Sequence, residues 1–148
     1  MDRRTALKSS LGALAGVVLT GAGMGRAESK DCKASPRQTS GPFYPTEEPA
    51  EKDNDLTMVA GASKPAAGQV VYLHGLVIDD HCAPVVGAVV EIWHANPEGD
   101  YDRTTDEKRY YGQVATDASG AYSFSTLMPG RYLNGPTYRP AHIHMKVF

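Results

Sequence analysis

The sequence predicts an all-β fold, a β-sandwich of mainly antiparallel strands preceded by an extended N-terminal arm. Short runs rich in Val, Ile and aromatic residues recur along the chain, each closed by a Gly, Pro, Asn or Asp turn signal. No helical period follows residue 27. Residues 28–68 are polar, with Pro, Gly, Ala and acidic residues and no sustained periodicity, which suits an arm wrapped on a domain and not an independent unit.

The first 27 residues read as an address. Met1 to Lys8 is short and charged, Leu11 to Ala22 is apolar and rich in Gly and Ala, and Gly25-Arg26-Ala27 forms a small-x-small cleavage signal. That order is a secretory signal peptide, and its apolar part is too short to span a bilayer, so no stable membrane anchor is expected after cleavage. The Arg3-Arg4 pair followed by Leu7 and Lys8 resembles a twin-arginine signal; an ordinary secretory signal is the other reading. An exported protein, periplasmic or extracellular, is the expectation. Excision removes four basic residues (Arg3, Arg4, Lys8, Arg26) and one acidic residue (Asp2) from totals of 15 and 17, leaving 11 and 16 and a net charge of −5. Such a balance offers no basic face for nucleic acid. Cys32 and Cys82 are the only cysteines. In an oxidising compartment they could join the arm to a hairpin, with two unpaired thiols as the alternative.

Strand candidates follow in order. Val70 to Ile78 is the first, ended by the turn Asp79 to Pro84, and Val85 to Trp93 is the second. Gln113 to Thr116, the turn Asp117-Ala118-Ser119-Gly120 and Ala121 to Leu127 form a hairpin, with Tyr122 and Phe124 on one face and Ser123 and Ser125 on the other. Met128-Pro129-Gly130 turns the chain into Arg131-Tyr132, and Ala141 to Phe148 is the final strand. Between Asn96 and Tyr111 lies a long polar connection, a kind of segment that tends to be functional in compact domains. The organisation expected is a signal peptide at 1–27, an arm at 28–68 and a sandwich core at 69–148.

Chemistry enters with Arg139-Pro140-Ala141-His142-Ile143-His144. On a strand, His142 and His144 point to one side, with Cα atoms roughly 6.7 Å apart, close enough for two imidazoles to converge on one metal ion. Histidine is the commonest metal ligand among side chains, yet a lone His-x-His is weak; its company here is Arg139 and the tyrosines Tyr101, Tyr132 and Tyr138.

Much of the β pattern, from Gly75-x-Val77-x-Asp79 to Leu127-x-Pro129-Gly130-x-Tyr132, resembles prealbumin-like and adhesin-like sandwich modules, which are mostly structural or carbohydrate- and protein-binding. A non-catalytic binding module is therefore one reading. The polar set points elsewhere. Trp93-His94-Ala95-Asn96-Pro97-Glu98-Gly99-Asp100-Tyr101, then Pro129-Gly130-Arg131-Tyr132, then the Arg139 to His144 run resemble the intradiol ring-cleavage dioxygenases, and Gly41-Pro42-Phe43-Tyr44-Pro45 fits the same family. The resemblance runs from about Thr39 to the end, with 46–68 adding little. It implies a mononuclear non-haem Fe(III) held by Tyr101, Tyr132, His142 and His144. It also implies that Tyr132 acts as a catalytic base, that Arg139 is catalytic and substrate-binding, and that Tyr44 binds substrate. The implied partners are a catechol-type aromatic and O2, the implied product is a muconate-type diacid, and a homo-oligomer stays open. Members continue past the second histidine, so the core is expected to be incomplete at its C-terminus. A copper or zinc protein using the histidine pair without tyrosinate is a third reading.

Overall fold

The structure is a computed structural model of the 148-residue chain that describes residues 31–46, 52–58, 63–101 and 110–148. The signal peptide and residues 102–109 of the polar connection lie outside the described residues.

Among the described residues there are seven strands and no helix: β1 Val70–Leu76, β2 Val89–His94, β3 Tyr111–Ala115, β4 Ala121–Leu127, β5 Tyr132–Asn134, β6 Thr137–Arg139 and β7 Ile143–Val147. The four strand pairings among the described residues are antiparallel, and Asp55 of the arm adds an isolated parallel bridge to Ser125. β1 pairs with β4, β2 lies between β3 and β7, and β5 and β6 form a hairpin. As a central strand with both faces covered, β2 has five of its six residues buried. One face carries Val90 and Ile92, which meet Phe124 of β4 and Leu56 of the arm in the core, with Leu73, Val114 and Ile143 packed around them. The β1–β4 and β3–β2–β7 sheets therefore share one core. Each fully buried side chain of this size contributes roughly 1.5–3 kcal/mol.

Part of the arm closes this core. Ser125 donates its backbone N–H to Asn54 (2.9 Å), Leu56 donates to Ser125 (2.7 Å), and Gln113 donates to Asp53 (3.1 Å). Residues 53–56 thus strap β4 to β3 and drive Leu56 inward. Gly112 makes room for this, since a Cβ there would collide with the Leu56 side chain and the Asp53 carbonyl. Upstream, Cys32 and Cys82 are disulfide-bonded with Cα atoms 5.3 Å apart, and Cys32 donates its N–H to the Asp80 carbonyl.

Several strand limits differ from expectation for local reasons. β2 begins at Val89, not Val85, because Gly87 takes φ 74° and Thr116 holds the turn, accepting the Ala88 N–H and donating to the Val85 carbonyl. β1 ends at Leu76, leaving Ile78 only an isolated bridge to Pro84. β3 starts two residues early, at Tyr111, and β7 is confined to Ile143–Val147. The β4 hairpin turn forms where expected, its Asp117 carboxylate accepting from the Ser119 and Ala121 N–H groups and the Ser119 hydroxyl. The β5–β6 hairpin was not expected. Asn134 and Thr137 pair across Gly135-Pro136, with Gly135 at φ 60°, a backbone position glycine takes without steric cost.

Candidate functional site

Register decides which side chains share a surface. Trp93 on β2 lies opposite Tyr111 and His144, and Glu91 lies opposite Gln113 and Lys146. Cross-strand partners point the same way, so these six occupy the sheet face turned from Val90 and Ile92. The arm lies on that face. The Tyr44 ring meets Trp93 edge-on at 4.9 Å and its hydroxyl donates to Glu91 Oε2 at 2.9 Å.

On the other side of Trp93, the His144 imidazole stacks flat, with centroids 4.8 Å apart and planes 3° from parallel. His142 follows with its ring 4.7 Å from His144, and the two Nε2 atoms stand 3.2 Å apart. His142 Nδ1 is 2.6 Å from the Pro140 carbonyl, which can only accept, so Nδ1 carries the proton and Nε2 offers its lone pair.

The tyrosines arrive through two glycines. Beyond β2, Asn96 folds the chain into a turn: its carbonyl accepts from Gly99 and from Gly130, and its side-chain oxygen accepts from Asp100. Gly99, at φ 95°, lies against the Arg131 carbonyl, and Gly130 lies against the Pro97 carbonyl. A Cβ at either position would push the loops apart. Docking the two loops brings the Tyr101 and Tyr132 rings to 5.2 Å, edge to face, and Phe43 of the arm stacks on Tyr101 at 4.2 Å.

The four rings close a circuit. Centroid separations are 5.2 Å from Tyr101 to Tyr132, 5.5 Å on to His142, 4.7 Å to His144 and 6.5 Å back to Tyr101. Tyr101 Oη is buried, and among the described residues no group meets it in good hydrogen-bond geometry. Burial pushes its phenol well above the usual range, the neighbouring Tyr132 adds to this, and the charge of Arg139 opposes it. Burial also lowers the His144 pKa, reinforced by His142 and Arg139, so its imidazole stays neutral. Arg139, opposite Tyr132 in the β5–β6 register, is exposed yet acts on both rings.

This donor set suits a hard cation. A phenol held neutral by burial needs nearby positive charge to ionise, which a bound metal would supply, and the two imidazoles complete the set. Among the described residues no group of three or more His, Cys, Asp or Glu could hold a metal, so the phenols are what distinguish this cluster.

Tyr44, expected to bind substrate, donates its hydroxyl to Glu91, and Phe43 beside it touches Tyr101 and Tyr132. Tyr138 is exposed. His94, given no ligand role from sequence, faces the opposite way. Its Nδ1 donates to the Ala95 carbonyl and its Nε2 accepts from Thr126, both at 2.7 Å, and burial lowers its pKa to about 4. Sequence reasoning named Phe43 only as part of the Gly41–Pro45 run and gave Glu91 and Asn96 no role. A charged residue inside the Val-Val-x-Ile-Trp run was the available signal for Glu91.

A family model described as Dioxygenase matches residues 39–148. Chlorocatechol 1,2-dioxygenase from Pseudomonas sp. (strain P51) is 36% identical over 110 residues, covering 61% of this chain and 44% of that protein. The protocatechuate 3,4-dioxygenase beta chain from Burkholderia cepacia is 34% identical over 123 residues, covering 76% and 52%. Among solved structures, catechol 1,2-dioxygenase from Pseudomonas arvilla C-1 superposes with a TM-score of 0.61 at 30% identity, covering 76% of this chain and 40% of that one. The dioxygenase domain of a carbohydrate-binding fusion from Streptomyces sp. SirexAA-E gives 0.63 at 29%, covering 78% and 66%. The chain spans about half the length of the curated relatives it matches.

Proposed function

The chain belongs to the intradiol ring-cleavage dioxygenase family, and from that membership we propose that it is an exported non-haem Fe(III) dioxygenase that cleaves a catechol-type ring between its two hydroxyls. The observation that carries this reading is the closed circuit of Tyr101, Tyr132, His142 and His144, with the Tyr101 hydroxyl buried inside it. Those four side chains are the proposed iron ligands. A ferric ion held there would supply Lewis acidity, drawing electron density from a catechol and making its ring reactive toward O2. Two phenolates favour the ferric state, because they donate the negative charge that it needs more than ferrous iron does.

The chain's own residues then have distinct tasks. Tyr132 Oη is the base that takes up a catechol proton. Arg139 sets a fixed positive charge beside the ring as negative charge develops there. Phe43 and Trp93, flanking Tyr101 and His144, exclude water from the donor atoms. The Pro140 carbonyl keeps the proton on His142 Nδ1, so that Nε2 stays available. Family membership favours this reading over a binding module or a copper or zinc protein.

Oxygen uptake with a panel of catechols, followed by product identification, tests it. A muconate-type diacid supports the reading. A semialdehyde, which arises from cleavage outside the hydroxyl pair, overturns it.

A further inference from the structure

We infer that Glu91 is a positioning residue for this site: its buried carboxylate latches the arm through Tyr44 and so holds Phe43 against Tyr101 and Tyr132. The inference rests on reading the four rings as a metal centre.

Glu91 is only 5% exposed, on the central strand. Carboxylates are almost never buried so deeply unless donors compensate them. Three donors do so here: Tyr111 Oη at 2.7 Å, Tyr44 Oη at 2.9 Å and Gln113 Nε2 at 3.3 Å. Tyr111 and Gln113 sit directly across from β2 on β3, so they need no help to stay near. Tyr44 alone comes from the arm. Its hydroxyl also accepts from Lys146 Nζ at 3.2 Å, and the ammonium lies 4.7 Å over its ring. The phenol is thus held between a carboxylate it donates to and a cation it accepts from, an arrangement that resists replacement by water.

At this point the arm is anchored by the Tyr44 hydroxyl and by the Phe43 ring. Residues 33–42 and Thr46 are exposed, and only Phe43 to Pro45 are half-buried between them. One residue from the latch, the Phe43 ring lies 4.2 Å from Tyr101 and 5.4 Å from Tyr132. The hydrogen bonds of Glu91 go to Tyr111, Tyr44 and Gln113, none of them a ligand ring, so it acts through Tyr44. An apolar residue in its place would leave the Tyr44 hydroxyl without the carboxylate it donates to. Releasing the latch lets Phe43 lift, and water then reaches Tyr101 Oη.

The test compares Tyr44→Phe and Glu91→Gln in the full chain, with Tyr72→Phe, on the exposed side of β1, as control. In metal-free protein, thermolysin cleavage on the N-terminal side of Phe43 reports arm lifting. Loss of a hydrogen bond to a charged group should speed it about tenfold or more, while the global unfolding midpoint stays near that of the control. In ferric-loaded protein, the visible phenolate-to-iron band should shift in both variants, and KM for catechol should rise with a smaller change in kcat. Unchanged cleavage at Phe43 in both variants, or cleavage that rises only in step with global unfolding, overturns the inference. If Glu91→Gln does not fold, Tyr44→Phe, which removes a single oxygen, decides alone. A wild-type chain that takes up no ferric iron refutes the metal-centre reading, and the metal-free cleavage assay still decides whether the latch exists.

Discussion

Substituting Gly99 tests how the two tyrosines are brought together. At φ 95° any residue but glycine is strained, at roughly 1–3 kcal/mol. Its Cβ would also fall on the Arg131 carbonyl, the backbone that leads directly into Tyr132. Overpacking adds roughly 1–3 kcal/mol, so Gly99→Ala should destabilise by about 2–6 kcal/mol. Gly87 separates the two effects, because it has φ 74° and open space around its Cβ position. Gly87→Ala should therefore cost only the backbone strain, and the difference between the variants measures loop docking. Urea unfolding gives both midpoints, and ferric titration gives metal uptake. The expected result is a lower midpoint for Gly99→Ala than for Gly87→Ala, with iron uptake weakened only in Gly99→Ala. Equal midpoints and equal uptake would refute the claim that these loops meet at Gly99.

Three further outcomes are expected. His94 is neutral in both folded and unfolded chains above about pH 6.5; between there and about pH 4 the unfolded chain gains a proton the native one does not, so stability falls with pH by up to about 3 kcal/mol. Urea midpoints across that range should fall less steeply in His94→Gln. Reducing the Cys32–Cys82 bridge, which closes a sequence separation of 50, should cost about 2–5 kcal/mol, read as a drop in Tm on adding dithiothreitol. Arg139→Ala should lower kcat on a catechol by about a hundredfold while leaving ferric uptake intact, as expected when a charge beside a reacting ring is removed.

The all-β architecture was legible because Val, Ile and aromatic runs separated by turn residues have few other ways to fold. Ala121–Leu127 formed over the range expected, its turn held by the Asp117 carboxylate. The second strand shortened because its first residues answer to Thr116, a partner 31 positions from Val85 that no local pattern reveals. Asn134-Gly135 is a hairpin signal that was legible and overlooked. Leu56 follows the polar run Glu51 to Asp55; its burial depends on the strap between β3 and β4, which only tertiary structure shows. At the site, His142 and His144 share a side because a strand alternates faces, whereas their approach to Tyr101 and Tyr132 depends on the contact of Gly99 and Gly130 with each other's loops. The Tyr44 contact with Glu91 spans 47 positions and is invisible to any local reading.

Visible absorption during ferric titration tests the central claim most directly, run on the wild-type chain and on Tyr101→Phe and Tyr132→Phe. The account predicts a phenolate-to-iron band that saturates at one ferric ion per chain, shifts when catechol is added, and weakens in each variant. A wild-type chain that stays colourless at saturating iron, or a band indifferent to both substitutions, would contradict it.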